Sequence, residues 1–253
     1  MVGTGAADMV LQGEKSPEYI DSMLRKLFHR LLDALPSQCL VCRAWPSLSV
    51  CEDCVGRFAQ PRQRCRTCAL ALAPGLQQCG HCVSNPPPLD HCLAAVSYEY
   101  PWSRLILDYK FQQQSGRASA FAMLLRHAPW VEPALEDADL VLPMPLSAAR
   151  LQMRGFNQAL LLARQLAPER TQAQLLLRIR DTPPQSSLRR AERLDSLSNA
   201  FAVDPLRQHC VKGARLVLVD DVMTSGATLF AAARVLRAAG AAHITGLVIA
   251  RTE

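Results

Sequence analysis

The chain has 253 residues, of which 49% are hydrophobic and 20% are charged, and its formal net charge is +6. This composition excludes a mostly disordered protein, and the length suits one or two domains that bury a sizeable core. No apolar run reaches the roughly 18 residues of a membrane span, and the first residues lack the basic and apolar regions of a secretory signal, so we expect a cytoplasmic protein.

The N-terminal part divides into two stretches. Residues 1–15 are small and polar, and we expect them to be disordered. Residues 16–36 begin with a Ser-Pro pair that is typical of a helix start, and then place apolar side chains at steps of three and four. This pattern predicts an amphipathic helix that packs on a core or on a partner.

Residues 37–84 contain eight of the ten cysteines, arranged as four Cys-x-x-Cys pairs. Two such pairs supply four thiolates, which close a tetrahedral shell around one ion. The spacing therefore predicts a double zinc ribbon with two structural zinc ions, whose ligands are Cys39, Cys42, Cys51, Cys54, Cys65, Cys68, Cys79 and Cys82. Sequential pairing of the knuckles is the simplest assignment, and a cross-braced pairing is the alternative. The other two, Cys92 and Cys210, are expected to be ordinary buried thiols.

Three consecutive prolines at 86–88 mark a stiff linker over residues 85–92. Strand-like apolar runs then alternate with helical patterns over residues 93–253. We predict strands at 93–98, 139–143, 175–179, 216–219 and 244–250, and helices at 101–109, 121–130, 157–166 and 228–238. This alternation predicts an α/β domain with a parallel sheet, and such sheets bind ligands at the carboxyl ends of their strands.

The most informative stretch is a strand, two adjacent carboxylates and a loop that leads at once into a helix. Backbone amides at a helix N-terminus point at an anion, and small residues let the chain approach it closely. Asp220 and Asp221 would repel phosphate, but they can accept hydrogen bonds from sugar hydroxyls and help to hold Mg²⁺. The stretch therefore predicts a sugar-phosphate site, whose loop residues are Thr224, Ser225, Gly226, Ala227 and Thr228.

Residues 217–229 resemble the 5-phosphoribosyl-1-pyrophosphate (PRPP) motif of type I phosphoribosyltransferases at all thirteen positions. By that resemblance the two acids are the catalytic pair that contacts the ribose hydroxyls, and the loop holds the 5′-phosphate. Residues after the strand at 139–143 resemble a pyrophosphate loop, with candidates Leu146, Ser147, Arg150 and Arg154. A third segment resembles the mobile loop that closes over the site, with candidates Arg189, Arg190 and Arg193.

The arginine content of this region supports an anionic ligand. Residues 143–193 carry nine arginines and three acidic residues, an excess equal to the net charge of the whole chain. Arginines pair bidentately with phosphate and pyrophosphate oxygens, so the block favours a phosphate, pyrophosphate or nucleic acid. The alternative is a basic face that is simply solvated.

The combination of a double Cys-x-x-Cys module, a proline-rich junction and these loops is similar to the ComF/GntX family over about residues 23–251. Lys110-Phe111 also matches a Lys-Phe/Tyr step of that family, whereas Ser225 stands where many members have Thr. The resemblance implies a phosphoribosyltransferase-like fold and a role in DNA uptake and the use of imported single strands during natural competence.

Three functions are compatible with these residues. The first is an enzyme that binds PRPP with Mg²⁺, releases pyrophosphate and transfers the sugar to an acceptor that the sequence does not identify. The second is a non-catalytic protein of transferase fold, in which the zinc module and the basic block hold single-stranded DNA, a competence helicase or another DNA-processing protein. The third is a structural adaptor, which the intact acids and hydroxyls of the loop disfavour.

Overall fold

The computed structural model describes residues 37–112, 114–180 and 200–253. The stretches predicted to be disordered (1–15) and helical (16–36) lie outside these residues. In chain order the elements are α1 (Glu52–Phe58), α2 (Gly80–Ser84), β1 (His91–Ser97), α3 (Trp102–Phe111), α4 (Arg117–His127), α5 (Val131–Glu136), β2 (Leu140–Pro143), α6 (Ala148–Arg154), α7 (Gln158–Leu166), β3 (Leu176–Arg178), β4 (Phe201–Val203), β5 (Arg215–Met223), α8 (Ala227–Ala238) and β6 (His243–Arg251).

A parallel four-stranded sheet in the order β1-β6-β5-β2 forms the centre of the molecule, which confirms the predicted α/β class. The central strands β5 and β6 are buried along almost their whole length, as expected for strands covered on both faces. Val219 pairs with Pro143 on one side and with Leu247 on the other, so the carboxyl ends of β2, β5 and β6 lie together.

Two apolar layers cover the sheet. One contains β3, β4, α8 and the second group of cysteines, from Cys65 to Cys82. The other contains α3, α4, α7 and two cysteines of the first group, around the fully buried side chains of Trp102, Tyr109 and Phe121. Among the described residues, no helix has the length and apolar character needed to cross a membrane.

Several strand boundaries differ from the predictions because pairing partners set them. β5 continues to Met223 instead of ending at Val219, since Asp220 and Val222 pair with Val248 and Ala250 of β6. β1 already begins at His91, inside the stretch predicted as linker. The strand predicted at 175–179 lies outside the main sheet, where β3 forms an antiparallel pair with β4.

Two helices differ because polar groups rather than apolar periodicity define their ends. α4 begins at Arg117, whose buried guanidinium donates to the Leu105 carbonyl and to Asp108, and it ends at His127 instead of residue 130. α6 occupies part of the predicted pyrophosphate loop, and it begins because the Ser147 hydroxyl accepts a hydrogen bond from the Arg150 amide. Helix α5 was not predicted.

Candidate functional site

The eight cysteines of the module form two groups of four. In each group the four sulfurs lie within 4.8 Å of one another: Cys39, Cys42, Cys51 and Cys54 in the first cluster, and Cys65, Cys68, Cys79 and Cys82 in the second cluster. The Sγ atoms of Cys42 and Cys51 are 3.6 Å apart, and those of Cys68 and Cys79 are 3.7 Å apart. A tetrahedral site with Zn–S bonds of about 2.3 Å separates its sulfurs by about 3.8 Å, so both clusters fit zinc. The knuckles pair sequentially, and the cross-braced alternative is wrong.

Both clusters share one backbone arrangement. The third cysteine immediately precedes a short helix, and its amide donates to the first cysteine: Cys51 N–H to Cys39 Sγ, and Cys79 N–H to Cys65 Sγ, each at 3.4 Å. Burial opposes ionisation of Cys39 and Cys65, but backbone amides outweigh it and lower the pKa of each to about 6. The lowered pKa favours the thiolate form of Cys39 and Cys65, which is the form that binds metal.

The two cysteines outside the clusters differ from each other. Cys92 is buried beside β6, as predicted. Cys210 is exposed, so its assignment as a buried thiol is wrong. It is the last residue of the short 3₁₀ turn Gln208–Cys210. The apolar character of a cysteine does not by itself decide whether its side chain is buried.

The predicted phosphate loop connects the carboxyl end of β5 to the N-terminus of α8. Gly226 caps α8 with a φ of 79°, and a Cβ at this position would lie 2.5 Å from Met223 Cε and 2.7 Å from the Phe230 ring. Glycine is therefore required by both the backbone conformation and the available space. The Ala227 amide donates to the Ser225 hydroxyl at 3.4 Å, and Thr224 is exposed to solvent. The loop thus brings the Ser225 hydroxyl to the N-terminus of α8, the end at which a helix dipole favours an anion.

The two acids lie next to each other in β5 with unequal surroundings. Asp221 forms an ion pair with Lys110, with Nζ and Oδ1 2.8 Å apart and both side chains largely buried. Asp220 accepts the Asp221 amide at 2.9 Å. Burial and the neighbouring charge of Asp221 raise the pKa of Asp220 to about 7, against the opposing charges of Lys110 and Arg154. A buried carboxyl group with a raised pKa beside an ion-paired carboxylate is typical of functional sites.

The pyrophosphate-loop candidates follow β2, the strand beside β5. Arg154 is the last residue of α6, and its charge interacts favourably with both acids and unfavourably with Arg150. Its guanidinium donates to Gln158 Oε1 at 3.0 Å and lies 5.0 Å above the Phe111 ring, while its buried Nε has no hydrogen-bond partner. Arg154 is thus a cation whose charge acts on both acids, with one buried donor that has no partner among the residues that the structure describes.

The remaining candidates have simpler positions. Ser147 is buried as the cap of α6, and Leu146 is half-buried in the segment just before it. Asn157 fixes this segment to the sheet, because its side-chain amide donates to the Met144 carbonyl and its oxygen accepts the Leu160 amide. The mobile-loop candidates Arg189, Arg190 and Arg193 lie outside the described residues.

Lys110 is the site residue that sequence reasoning did not assign. It stands at the end of α3, where the Tyr109 hydroxyl donates to the Gln158 carbonyl and the Gln158 amide donates to the Lys110 carbonyl. These bonds hold the lysine against β5. The Lys-Phe step was visible in the sequence, but the partner of its charge lies more than a hundred residues further along the chain.

A cavity of about 910 Å³ lies elsewhere. It is lined by His91, Arg215 and His243 at the amino ends of β1, β5 and β6, together with Trp130 and residues 61–66. Its arginines are largely neutralised, since Arg62 pairs with Glu99 and Arg215 with Asp137. The acids and the loop are thus distinguished by their chemistry and not by cavity size.

Comparisons with known proteins agree with this architecture. The family model of the phosphoribosyl transferase domain matches residues 153–252. The chain is 32% identical over 227 residues to DNA utilization protein YhgH of Salmonella typhimurium, covering 86% of this chain and 98% of that protein. It is 31% identical over 226 residues to Competence protein F of Haemophilus influenzae, covering 85% and 96%. It is 37% identical to Competence protein ComFC of Bacillus subtilis over 114 residues, 45% of each chain.

The first two relatives match over most of both chains, and the two features that define the resemblance are both present. One is the phosphoribosyltransferase-type α/β domain, and the other is the N-terminal module with two four-cysteine clusters that fit zinc. The chain therefore belongs to the ComF family.

Proposed function

We propose that this protein binds PRPP, or a related phosphoribosyl ligand, at the carboxyl end of β5, and that it uses this ligand in DNA uptake or in the use of imported single-stranded DNA. The observation that carries the proposal is the juxtaposition of the acid pair Asp220–Asp221 with an anion-binding loop on the same strand, with Lys110 and Arg154 beside them. An acidic pair beside a phosphate loop suits a ligand that has both hydroxyl and phosphate groups.

Each part of the site has a role in this proposal. The amides and hydroxyls of residues 224–228 bind the 5′-phosphate at the N-terminus of α8, where the helix dipole favours an anion. Asp220 and Asp221 accept hydrogen bonds from the ribose hydroxyls. Arg150 and Arg154 neutralise the pyrophosphate from α6.

The carboxylates of Asp220 and Asp221 fit Mg²⁺, a hard cation that favours carboxylate and phosphate oxygens. Bound with PRPP, it supplies positive charge to the pyrophosphate. Lys110 neutralises Asp221 in the ligand-free chain, so the carboxylate is not an isolated buried charge before the ligand binds. When a ligand binds, this ion pair rearranges around it.

In the transferase form of the proposal, the bond between the sugar C1 and pyrophosphate breaks while an acceptor nucleophile attacks C1. The chain contributes electrostatic stabilisation of the leaving group through Arg150, Arg154 and Lys110. Among Lys110, Ser147, Arg150, Arg154 and residues 220–228, none is a histidine or a glutamate that could act as a general base for an acceptor. The acceptor class therefore follows from screening pyrophosphate release and not from the fold.

Calorimetric titration of zinc-loaded protein with PRPP and Mg²⁺ tests the binding proposal. We expect binding by the wild type and at least a hundredfold weaker binding by Asp220→Asn/Asp221→Asn, because the ribose acceptors lose their charge. The matched control is Asp137→Asn/Asp139→Asn, which changes two acids near the opposite end of β5 and should leave the affinity unchanged. Absence of binding by the wild type at millimolar PRPP would refute the proposal.

The role in DNA use comes from the names of the relatives, DNA utilization protein and competence protein. A gene deletion complemented with wild type or with Asp220→Asn/Asp221→Asn tests it by counting transformants or growth on supplied DNA. We expect the variant to fail. Full complementation by the variant would favour the adaptor alternative, in which the module holds single-stranded DNA or a helicase partner, and salt-dependent binding of an oligonucleotide would then identify the nucleic-acid form.

A further inference from the structure

Arg251, the last residue of β6, is a buried arginine with an unusual set of partners. It is only 8% exposed, and it makes no ion pair with any carboxylate in the described part of the chain. Its Nε donates to the Cys68 carbonyl at 2.8 Å, and its Nη1 donates to the Met223 carbonyl at 3.4 Å and to Thr252. One guanidinium thus connects a ligand residue of the second cysteine cluster with the last residue of β5.

Met223 carries this connection into the phosphate loop. Its Cε lies 2.5 Å from the position that a Cβ on Gly226 would take, so the side chain packs directly against the turn before α8. Its Sδ contacts the Cys92 thiol at 3.4 Å, and its carbonyl also accepts the Thr252 amide at 3.1 Å. The backbone and side chain of Met223 are therefore held from the side of the second cluster.

The charge of the second cluster explains a buried arginine without an acid. Four thiolates around one Zn²⁺ carry a net charge of −2, so the loaded cluster offers the missing counter-charge. The contacts of Arg251 with the Cys68, Met223 and Thr252 oxygens engage its Nε and Nη1 donors but do not neutralise its charge. A buried cation is stable only where it is compensated, which ties the position of Arg251 to the charge of the cluster.

The first cluster has no comparable route to the loop. Its module contacts the transferase domain at α3, where the Trp102 indole N–H donates to the Phe58 carbonyl at 2.7 Å and the Phe58 and Tyr100 rings meet edge to face. Within the described ranges, no hydrogen bond of residues 37–60 reaches residues 223–226. The two clusters therefore differ in their relation to the ligand site.

We propose that Arg251 is a positioning residue that couples the second cysteine cluster to the phosphate loop, so that zinc in this cluster, and not in the first, sets the loop for ligand binding. The proposal rests on the proposed function for the identity of the ligand. Coupling between two sites is reciprocal, so PRPP bound at the loop must in turn retain the zinc of the second cluster.

The test compares two variants that each remove one contact between the module and the domain and leave all cysteines in place. Arg251→Met removes the link from the second cluster, and Trp102→Phe removes the indole hydrogen bond beside the first. We expect both to hold two zinc ions per chain. Arg251→Met should bind PRPP and Mg²⁺ at least tenfold more weakly than wild type, and Trp102→Phe should bind within about twofold of wild type. Arg251→Lys keeps the positive charge and a single donor nitrogen, and should bind PRPP more tightly than Arg251→Met but more weakly than wild type.

Zinc release to a chromogenic chelator gives the reciprocal measurement. In wild type, saturating PRPP and Mg²⁺ should slow the release of one of the two ions several-fold, and in Arg251→Met this protection should disappear. Equal loss of affinity in Trp102→Phe and Arg251→Met, or no protection of zinc by a ligand that binds, would overturn the proposal.

Hydrogen exchange of peptides covering residues 223–230 separates this proposal from the proposed function. Removal of the Arg251 link should speed amide exchange at residues 224–227 without any ligand present, whereas Trp102→Phe should not. If wild type binds no PRPP but the exchange differs in this way, the ligand assignment fails and the coupling stands. If the exchange is identical in both variants and wild type, the coupling fails whatever the ligand.

Discussion

At the scale of single residues, Asp220 of the acid pair in β5 has a strongly raised pKa. One lysine serves two adjacent carboxylates, and it pairs with Asp221. Asp220 makes no such ion pair within the described residues, and its burial together with the negative charge of Asp221 raises its pKa to about 7. The chain thus holds an acid in a state that costs stability in the absence of ligand, a common property of binding and catalytic groups.

The first prediction concerns the pH dependence of that cost. Between about pH 4 and pH 7 the folded chain retains a proton on Asp220 that the unfolded chain has lost, so this residue lowers the free energy of unfolding as the pH rises. Asp220→Asn is neutral and still accepts the Asp221 amide. We expect it to be more stable than wild type by about 1–3 kcal/mol at pH 8, and by much less at pH 5. Thermal melts from pH 5 to pH 8 measure the difference.

The exposed carboxylate of Asp137 provides the control for this series. Asp137→Asn should follow the wild-type stability curve in parallel across the same pH range. A constant offset between wild type and Asp220→Asn at every pH would contradict the prediction, because it would mean that Asp220 does not change its charge in this window.

At the scale of elements, the turn from β5 into α8 determines the position of residues 224–228, the proposed phosphate-binding residues. The turn is tight because Gly226 adopts a positive φ and because Met223 and Phe230 close around it. The turn places the N-terminus of α8 directly after the carboxyl end of β5. In the proposed function, the geometry of this turn matters more for ligand binding than the identity of the hydroxyl residues.

A pair of glycine substitutions tests this turn. Gly226 and Gly213 have similar φ values, 79° and 75°, but a Cβ on Gly213 meets nothing within 4 Å. Alanine at either position carries the strain of a left-handed backbone, about 1–2 kcal/mol, whereas alanine at 226 adds steric overlap that costs roughly 1–3 kcal/mol more. We expect Gly226→Ala to lose PRPP binding and Gly213→Ala to retain it. Denaturant unfolding and the same titration compare the two, and equal effects would show that crowding at the turn is unimportant.

At the scale of the whole molecule, the cysteine module is part of the domain core. Cysteines of the second cluster belong to the apolar layer with α8, and Cys39 and Cys54 belong to the layer with Trp102. The residues 251–253 reach back to the module, since Glu253 accepts hydrogen bonds from Arg64, Ser97 and the Ala71 amide. Each cluster thus supports one face of the sheet.

Zinc removal should therefore weaken the whole chain. Because metal binding free energy is part of the folding free energy, we expect a strong chelator to lower Tm by about 10 °C or more within one cooperative transition. Differential scanning calorimetry with and without chelator measures this, and readdition of zinc is the control. A module that melts separately, with the main transition unchanged, would contradict the prediction.

The amino-acid sequence by itself determined the features whose chemistry is local. Four Cys-x-x-Cys pairs indicate closed metal sites, because two intervening residues let both sulfurs of a pair bind the same ion. The strand, acids, glycine and helix start of residues 216–229 lie within one continuous stretch. The alternation of strands and helices likewise predicted the α/β class, because each element carries its own periodicity.

The tertiary structure alone decided the features that join distant parts of the chain. The sequential pairing of the knuckles, the ion pair of Lys110 with Asp221, and the link from Cys68 through Arg251 to Met223 all depend on which segments meet in the folded chain. The extension of β5 through both acids depends on β6 in the same way. No local pattern encodes these contacts, because a charge or a backbone donor looks the same in sequence whatever partner the fold brings to it.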